Sequence, residues 1–380
     1  MESEISKKDA EKLALANNYM GLLLNNLFVK EETNVVFSPF SISIALAMLF
    51  YGARNETAEE IRNVIGYKFA NVKDDKPKAY FQKFLNELDN ISDSYTLTCA
   101  NTVVSDKEFK VKRKYISLLE EYFKAFFQEA DFNNEIAEVV KLINEWVSKK
   151  TCGMIPTFLE SLDPSTVMVI LNAVYFKGSW MHQFDKDKTS LQRFYNKGKN
   201  GKKVEMMHLT NDFSFVEKES FKALQLPYKG EEISMLILLP NLKNGLEKLE
   251  TSLTPNFVQD LTQEMINRKV EVALPKFKLE YFKALKKFFI SLGLKRPFGA
   301  AQLSISDCGG VRVTEIIHKA VIEVNEEGSE AAAATAIIMG RCLRPKPIIE
   351  KFIADHPFMF VIYNSQNNLI LFMGRVNELK

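Results

Sequence analysis

The sequence predicts an α+β fold organised as one domain over residues 1–380. Helical spacing of apolar residues dominates about the first 150 residues, whereas from residue 166 onward β-rich apolar runs take over. A chain of this length could hold two domains, but it contains no linker rich in Gly, Pro or Ser and no repeat. These observations favour helices and sheets packed together in a single unit.

Two helices and a short strand are predicted at the start of the chain. Residues 8–30 read as an amphipathic helix, because Leu13 and Met20 recur on one helical face. Residues 34–37 read as a strand, after which Ser38 can cap a second helix. This helix, residues 40–51, is apolar on every side and is therefore expected to be buried.

The next segments are predicted from a capping signal and from periodicity. The tetrapeptide that begins at Thr57, Thr-Ala-Glu-Glu, resembles a capping box and predicts the start of a third helix. Residues 68–90 and 111–148 are predicted to be mostly helical, with a strand at 99–104 between them.

The remainder of the chain is predicted as strands joined by short turns. Residues 167–175 form a nearly continuous apolar run, which is typical of a strand covered on both faces. The chain ends in a predicted hairpin, with strands 358–363 and 369–376 joined by a turn at 365–368. The other predicted strands are 203–209, 213–216, 223–227, 234–240, 269–275 and 318–324.

Composition excludes several classes of protein. Lys and Arg number 50 against 48 Asp and Glu, so no overall field favours nucleic acid or an anionic membrane as partner. The longest apolar stretches are shorter than the roughly 20 residues that cross a bilayer. The four cysteines lie far apart without metal-type spacing, so neither a disulfide framework nor a metal site is expected. No catalytic motif is present, which gives no support for an enzyme without excluding one; our expectation is a protein that is not an enzyme.

One segment, residues 326–345, departs from ordinary globular composition. On composition alone it is an alanine-rich helix or an exposed connector, because Ala is the best helix former. It can also form a strand, in which Ser329, Ala331 and Ala333 face one side, and no proline removes a ladder donor before Pro345. Small side chains would allow such a strand to enter between two existing strands.

Four motifs resemble those of the serpins, and they occur in the same order and spacing over nearly the whole chain. They are NVVFSPFSIS (34–43), NAVYFKGSW (172–180), EEGSEAAAAT (326–335), and DHPF (355–358) with FMGR (372–375). The resemblance implies a fold of three β-sheets and about nine helices, with an exposed reactive-centre loop at about residues 326–346.

The resemblance also implies that the protein inhibits serine proteases as a suicide substrate. A protease cleaves the loop and forms an acyl-enzyme, and the loop then inserts into the large sheet and traps the protease. The alternative is a non-inhibitory serpin, which serves as a carrier, chaperone or storage protein. Such members usually have proline, charge or bulk in the hinge, and the alanine run here favours inhibition.

Residue roles follow from the same resemblance. Trp180 is placed at the top of the sheet opening, and Lys276 and Glu326 form an ion pair near the loop root, worth about 0–1 kcal/mol if exposed. The residues assigned to the cluster beneath the opening are Ser38, Ser41, Asn172 and His318. Those assigned to the hinge are Glu326, Gly328, Ser329, Glu330, Ala331, Ala332, Ala333, Ala334 and Thr335.

Two cues disagree about the bond that a protease cuts. Inhibitory serpins usually place the cleavage residue seventeenth from the glutamate before the hinge; counting from Glu326, this is Cys342 and selects the Cys342–Leu343 bond. The aspartate in the pocket of trypsin-like proteases instead selects the guanidinium of Arg341. We place Arg341 ahead for trypsin-like targets and keep Cys342 for proteases with small or apolar pockets.

Partners and compartment are expected as follows. The expected targets are trypsin-like serine proteases, with cysteine proteases as further candidates. Neither nucleic acid nor a membrane is expected as a partner. The protein is expected to be a monomer. No cofactor is required. Two lysine-rich runs could bind a heparin-like glycosaminoglycan. One is residues 107–114, and the other consists of Lys68, Lys73, Lys76, Lys78 and Lys83. We favour the interpretation that both are solvated faces, because Asp74 and Asp75 interrupt the run that begins at Lys68.

The N-terminus offers one cue to the compartment. It is charged and lacks the apolar stretch of a signal peptide, so the protein is either cytosolic or a secreted protein whose signal has been removed. About ten residues precede the first helix, more than intracellular serpins usually carry. We therefore expect a secreted, extracellular protein, with a cytoplasmic one as the alternative.

Overall fold

The structure, a computed structural model, describes residues 5–88, 95–307, 310–327 and 348–380. The predicted reactive bond and most of the predicted hinge lie outside the described residues. These are Gly328, Ser329, Glu330, Ala331, Ala332, Ala333, Ala334, Thr335, Arg341, Cys342 and Leu343. Their assigned roles therefore stay predictions.

Nine α-helices are present in the described ranges, as the resemblance implied. They are α1 (Lys7–Phe28), α2 (Pro39–Gly52), α3 (Asn55–Val64), α4 (Lys76–Leu88), α5 (Arg113–Phe123), α6 (Ile136–Lys150), α7 (Leu246–Thr251), α8 (Phe257–Glu264) and α9 (Lys286–Ser291). A capping box begins α1, where Ser6 Oγ accepts from the Asp9 backbone N–H and the Asp9 carboxylate accepts from that of Ser6. No helix among the described residues is long and apolar enough to cross a membrane.

Three helical predictions are corrected by the structure. Thr57 does not cap a helix; α3 begins at Asn55, and Thr57 Oγ1 instead accepts from the Gln302 backbone N–H at 2.9 Å. Residues 68–75 are not helical, and α4 begins only at Lys76. The predicted helical stretch 111–148 is interrupted because Lys124 ends α5 in the left-handed region, with φ of 48°, and a strand follows.

Fourteen strands are present in the described residues. They are β1 (Val35–Phe37), β2 (Tyr95–Asp106), β3 (Phe126–Ala130), β4 (Met168–Gly178), β5 (Ser190–Asn196), β6 (Asn200–Glu217), β7 (Phe221–Pro227), β8 (Ile233–Pro240), β9 (Ile266–Pro275), β10 (Phe277–Ala284), β11 (Glu315–Val324), β12 (Glu350–Ile353), β13 (Phe358–Asn364) and β14 (Leu369–Val376). The predicted strands 203–209 and 213–216 are one continuous strand, β6. The C-terminal hairpin is confirmed as β13 and β14.

Five of these strands form a sheet in the order β10-β11-β4-β2-β3. At its centre β4 and β11 are parallel, and their pairing runs from Val169 opposite Glu315 to Lys177 opposite Glu323. On the outer sides β2 is antiparallel to β4, and β10 is antiparallel to β11. The two central strands are therefore hydrogen-bonded partners along nearly their whole length.

The other nine strands are connected through β6. The N-terminal part of β6 pairs with β5 and β9, and β9 also pairs with β12. The last residues of β6, 215–217, pair with β7, and the sheet continues from β7 through β8, β13 and β14 to β1. The resemblance implied three sheets. Hydrogen bonding joins two of them into one nine-stranded assembly because β6 runs through both.

Helix α2 lies between the two sheets, where it contacts β4 and β14. Every residue from Pro39 to Phe50 is buried, which confirms the prediction made from its apolar surface. Its N-cap is also confirmed, since Ser38 Oγ accepts from the Ser41 backbone N–H at 3.0 Å. The start of this helix is thereby held beneath the junction of β4 and β11.

Candidate functional site

The four residues predicted to lie beneath the sheet opening come together in the structure. Asn172 on β4 and His318 on β11 are register partners, and Ser38 and Ser41 belong to the start of α2. All four side chains are at most 1% exposed. They form a buried polar cluster that links the two central strands to the helix below them.

The hydrogen bonds of His318 define its protonation. Nε2 accepts from the Ser38 backbone N–H at 3.1 Å, and Nδ1 lies 2.7 Å from Asn172 Oδ1, which can only accept. Both bonds are satisfied by a neutral imidazole protonated at Nδ1. Burial agrees with this arrangement, because it lowers the pKa of His318 from its ordinary 6.5 to about 3.

The cluster continues across a third strand. Ser41 Oγ donates to Asn172 Oδ1 at 2.5 Å, and Asn172 Nδ2 donates to Asn101 Oδ1 at 2.6 Å. Asn101 on β2 in turn donates from Nδ2 to the Phe123 carbonyl at 3.2 Å. Sequence reasoning missed Asn101, although its amide stands among apolar residues of a predicted strand, and such a buried amide needs partners.

Trp180 lies just beyond the C-terminal end of β4 and is 4% exposed. Its indole stacks on Tyr228 with a centroid distance of 4.4 Å and an interplanar angle of 11°. The indole Nε1–H donates to the carbonyl of Asn325 at 2.9 Å, one residue past the end of β11. Trp180 therefore connects the upper ends of the two central strands.

The Lys276–Glu326 ion pair is present, with Lys276 Nζ 3.3 Å from Glu326 Oε2. The value of about 0–1 kcal/mol applies to an exposed pair, whereas the carboxylate of Glu326 is buried. Glu326 is 5% exposed and also accepts from Thr189 Oγ1 at 2.8 Å. Burial raises the pKa of Glu326, but hydrogen bonds from its own backbone, Thr189 and Lys276 outweigh burial and hold that pKa below its ordinary value. This carboxylate is charged and satisfied at neutral pH.

Two further ion pairs at the loop root were not predicted. Lys177 on β4 lies 3.4 Å from Glu323 on β11, and the two are register partners. Lys186 pairs with Glu327, the last described residue before the loop. Sequence alone could not assign these pairs, because the partners in each are about 140 residues apart and many lysines compete.

The lysine runs considered for glycosaminoglycan binding are partly neutralised in the structure. Lys107 lies 2.7 Å from Asp131, Lys112 lies 2.8 Å from Asp307, and Lys76 lies 3.9 Å from Asp9. Such pairing is typical of solvated protein faces. Within the described ranges, no group of three His, Cys, Asp or Glu side chains is arranged to hold a metal ion.

Comparisons with known proteins give a consistent result. The family model "Serpin (serine protease inhibitor)" matches residues 15–379. Iripin-8 of Ixodes ricinus is 39% identical over all of this chain and 96% of its own length. Intracellular coagulation inhibitor 2 of Tachypleus tridentatus is 36% identical over 99% of this chain and 93% of its own. The crystal structure of mouse protein Z-dependent protease inhibitor superposes with a TM-score of 0.88 at 27% identity, covering 98% of this chain and 99% of that one.

Proposed function

The chain belongs to the serpin family of serine protease inhibitors, and on this basis we propose that it acts as a suicide substrate whose cleaved loop inserts into the five-stranded sheet. The observation that carries the proposal is the central parallel pair, β4 and β11, with the loop segment following directly after β11. This pair is the place where a new strand would enter.

Strand direction explains why insertion releases free energy. A segment that folds back after β11 runs antiparallel to β11, and it runs antiparallel to β4 as well because the two are parallel. Insertion would replace one parallel interface by two antiparallel ones, and antiparallel pairing is slightly the more stable per residue. Each additional ladder hydrogen bond contributes about 0.5–1.5 kcal/mol. The five-stranded form is therefore metastable as long as the loop is intact.

Side-chain contacts across the same junction would hold the sheet closed until cleavage. Entry of a strand would separate β4 and β11 by about another 4.8 Å and break the Asn172–His318 hydrogen bond and the Lys177–Glu323 ion pair. The bond from Trp180 to the Asn325 carbonyl would also break. These contacts slow the opening of the sheet, but they do not remove the free energy that insertion of the loop releases.

The hinge and reactive bond are proposed as predicted from the sequence. The small residues Ser329, Ala331 and Ala333, which share one face of the strand, would enter the sheet first, because they need little space between the strands. Cleavage is proposed at Arg341–Cys342 for trypsin-like targets, with Cys342–Leu343 as the alternative. Cysteine proteases remain further candidate targets.

The deciding experiment is incubation with trypsin followed by denaturing electrophoresis. We expect a covalent complex that survives detergent, whose released peptide begins at Cys342. The Ala331→Arg variant should be cleaved without forming the complex, because an inward charge would be buried without a partner. Arg341→Ala should lose trapping of trypsin, whereas Cys342→Ser should keep it. Cleavage of the parent without any complex would instead favour a non-inhibitory carrier, chaperone or storage serpin.

The compartment is proposed to be intracellular, the alternative to the secretion expected from the N-terminus. Secretion receives no support from the comparisons, and one relative carries the name Intracellular coagulation inhibitor 2. Fractionation of the cells that produce this protein naturally tests the proposal, which expects the protein in the cytosolic fraction and not in the medium. Asn55 and Asn90 each begin an N-x-Ser/Thr sequon, and a glycosidase-sensitive mass increase at either residue would demonstrate passage through the secretory pathway and refute the proposal.

A further inference from the structure

A cavity of about 410 Å³ lies between α7, the connection from α1 to β1, and the turn that joins β5 to β6. Four basic and four acidic side chains line it, so charge rather than apolar surface decides what it can bind. None of these residues belongs to the buried cluster or to the loop root. The proposed inhibition therefore leaves this cavity without a role.

The floor of the cavity is a buried ion pair. Arg375 Nη1 lies 3.1 Å from Glu250 Oε2, and Arg375 Nη2 donates to the Glu31 carbonyl at 2.7 Å. Burial raises the pKa of Glu250 to about 7, although the charge of Arg375 opposes this rise. The floor is thus occupied by its own hydrogen bonds and carries no net negative charge.

Three more of the charged residues that line the cavity are compensated within the protein. Glu31 pairs with Lys283, and its carboxylate also accepts from the Tyr281 hydroxyl at 3.0 Å. Lys197 Nζ lies 3.2 Å from the carboxylate of Glu32. These groups have partners already, so they leave little charge for a ligand to neutralise.

The remaining three charged side chains, Lys30, Lys243 and Glu247, are exposed and have no oppositely charged partner in the part of the chain that the structure describes. Lys243 Nζ lies 3.1 Å from the centroid of the Tyr195 ring, a contact that holds the ammonium group without neutralising it. The charge of Glu247 contributes to the raised pKa of Glu250, which places its carboxylate near the floor. The cavity therefore offers two unpaired cations and one unpaired anion.

We propose that this cavity binds a small amino acid that carries two carboxylates, of the class of L-glutamate and L-aspartate. Its carboxylates would pair with Lys30 and Lys243, and its ammonium group would pair with Glu247, each through charge-assisted hydrogen bonds. The volume of the cavity lies within the range of small-molecule sites. A ligand that carries only negative charge would instead meet the carboxylate of Glu247 with like charge.

The test is isothermal titration calorimetry of the full chain with L-glutamate at pH 7.5 and low salt. We expect a Kd of about 0.1–1 mM, as is usual for so small a ligand. Glutarate has the same two carboxylates but no ammonium group, and L-glutamine lacks one carboxylate. Each should bind about tenfold more weakly, because one charged contact is lost. L-Arginine has the opposite balance of charge and should give no heat of binding.

Variants of the three unpaired residues locate the ligand. Glu247→Gln should bind L-glutamate and glutarate equally well, because the partner of the ammonium group is gone. Lys30→Ala and Lys243→Ala should each bind L-glutamate about tenfold more weakly than the parent. Lys248→Ala is the matched control and should keep the parent's affinity, because Lys248 is exposed on the same helix but does not line the cavity.

A second measurement separates loss of binding from loss of folding. All four variants should melt at the parent's temperature without ligand, and saturating L-glutamate should raise the melting temperature of the parent but not that of Lys30→Ala. The proposal fails if L-glutamate gives no heat of binding, or if L-arginine binds as tightly as L-glutamate. It also fails if Glu247→Gln still prefers L-glutamate to glutarate, or if Lys248→Ala weakens binding as much as Lys30→Ala does.

Discussion

Protonation of His318 should destabilise the five-stranded form at mildly acidic pH. The pKa of His318 is lowered to about 3 by burial, whereas an unfolded histidine has a pKa of 6.5, so between these values the unfolded chain binds more protons. The stability that depends on this residue is fully present above about pH 6.5 and is lost as pH falls toward 3. At pH 5, which is 1.5 units below 6.5, the free energy of unfolding should be lower by about 2 kcal/mol, because each pH unit contributes about 1.4 kcal/mol.

The hydrogen bonds give the structural reason for this loss. A proton on Nε2 would face the Ser38 backbone N–H, which is a donor, so that bond would be replaced by a repulsive contact. The same change would weaken the cluster that bridges β4 and β11 through Asn172. Spontaneous sheet opening should therefore become faster over the same pH range.

The assay is the urea midpoint of the first unfolding transition, measured between pH 7.5 and 5.0 for the parent and for His318→Gln. We expect the parent's midpoint to fall with pH, and the variant to start lower but to lose most of that dependence. His182→Gln is the control and should retain the parent's profile, because its ring lies outside the cluster and packs against Phe213. An unchanged pH profile in His318→Gln would refute the reasoning.

Three further predictions follow from other contacts. Trp180→Phe removes the hydrogen bond to the Asn325 carbonyl and should lower the free energy of unfolding by about 1 kcal/mol while accelerating loop insertion; unchanged values would contradict the bridging role. Cleavage between residues 337 and 344 should raise the melting temperature markedly, and identical calorimetric curves before and after nicking would contradict insertion. Glu250→Ala leaves the Arg375 guanidinium, now 3.1 Å from that carboxylate, buried without its partner, and should cost about 3–5 kcal/mol in chemical denaturation; a loss below about 1 kcal/mol would show that Arg375 finds another partner.

Prediction from sequence succeeded where the signal was local and unopposed. The apolar circumference of α2 and its Ser38 cap identified a buried helix, and the run at 167–175 identified a central strand. Prediction failed where local signals competed with tertiary contacts. Thr57 has the pattern of a cap, but its hydroxyl serves the Gln302 backbone N–H instead.

Strand β10 was not predicted, although Phe277, Leu279 and Tyr281 alternate with exposed residues in the pattern of a half-buried strand. Strands β5 and β12 were also missed, because β5 has a single buried residue and β12 is only four residues long. Short or polar edge strands depend on a neighbour for their stability, so their own sequence carries a weak signal.

By itself the sequence determined the family, the central elements, and the residues of the buried cluster that the serpin motifs contain. Only the tertiary structure decided that Asn101 completes that cluster and which lysine neutralises each glutamate at the loop root. The physical reason is separation along the chain. His318 and Asn172 are 146 residues apart, and the pairing of β4 with β11 results from packing of the whole core, which no local periodicity encodes.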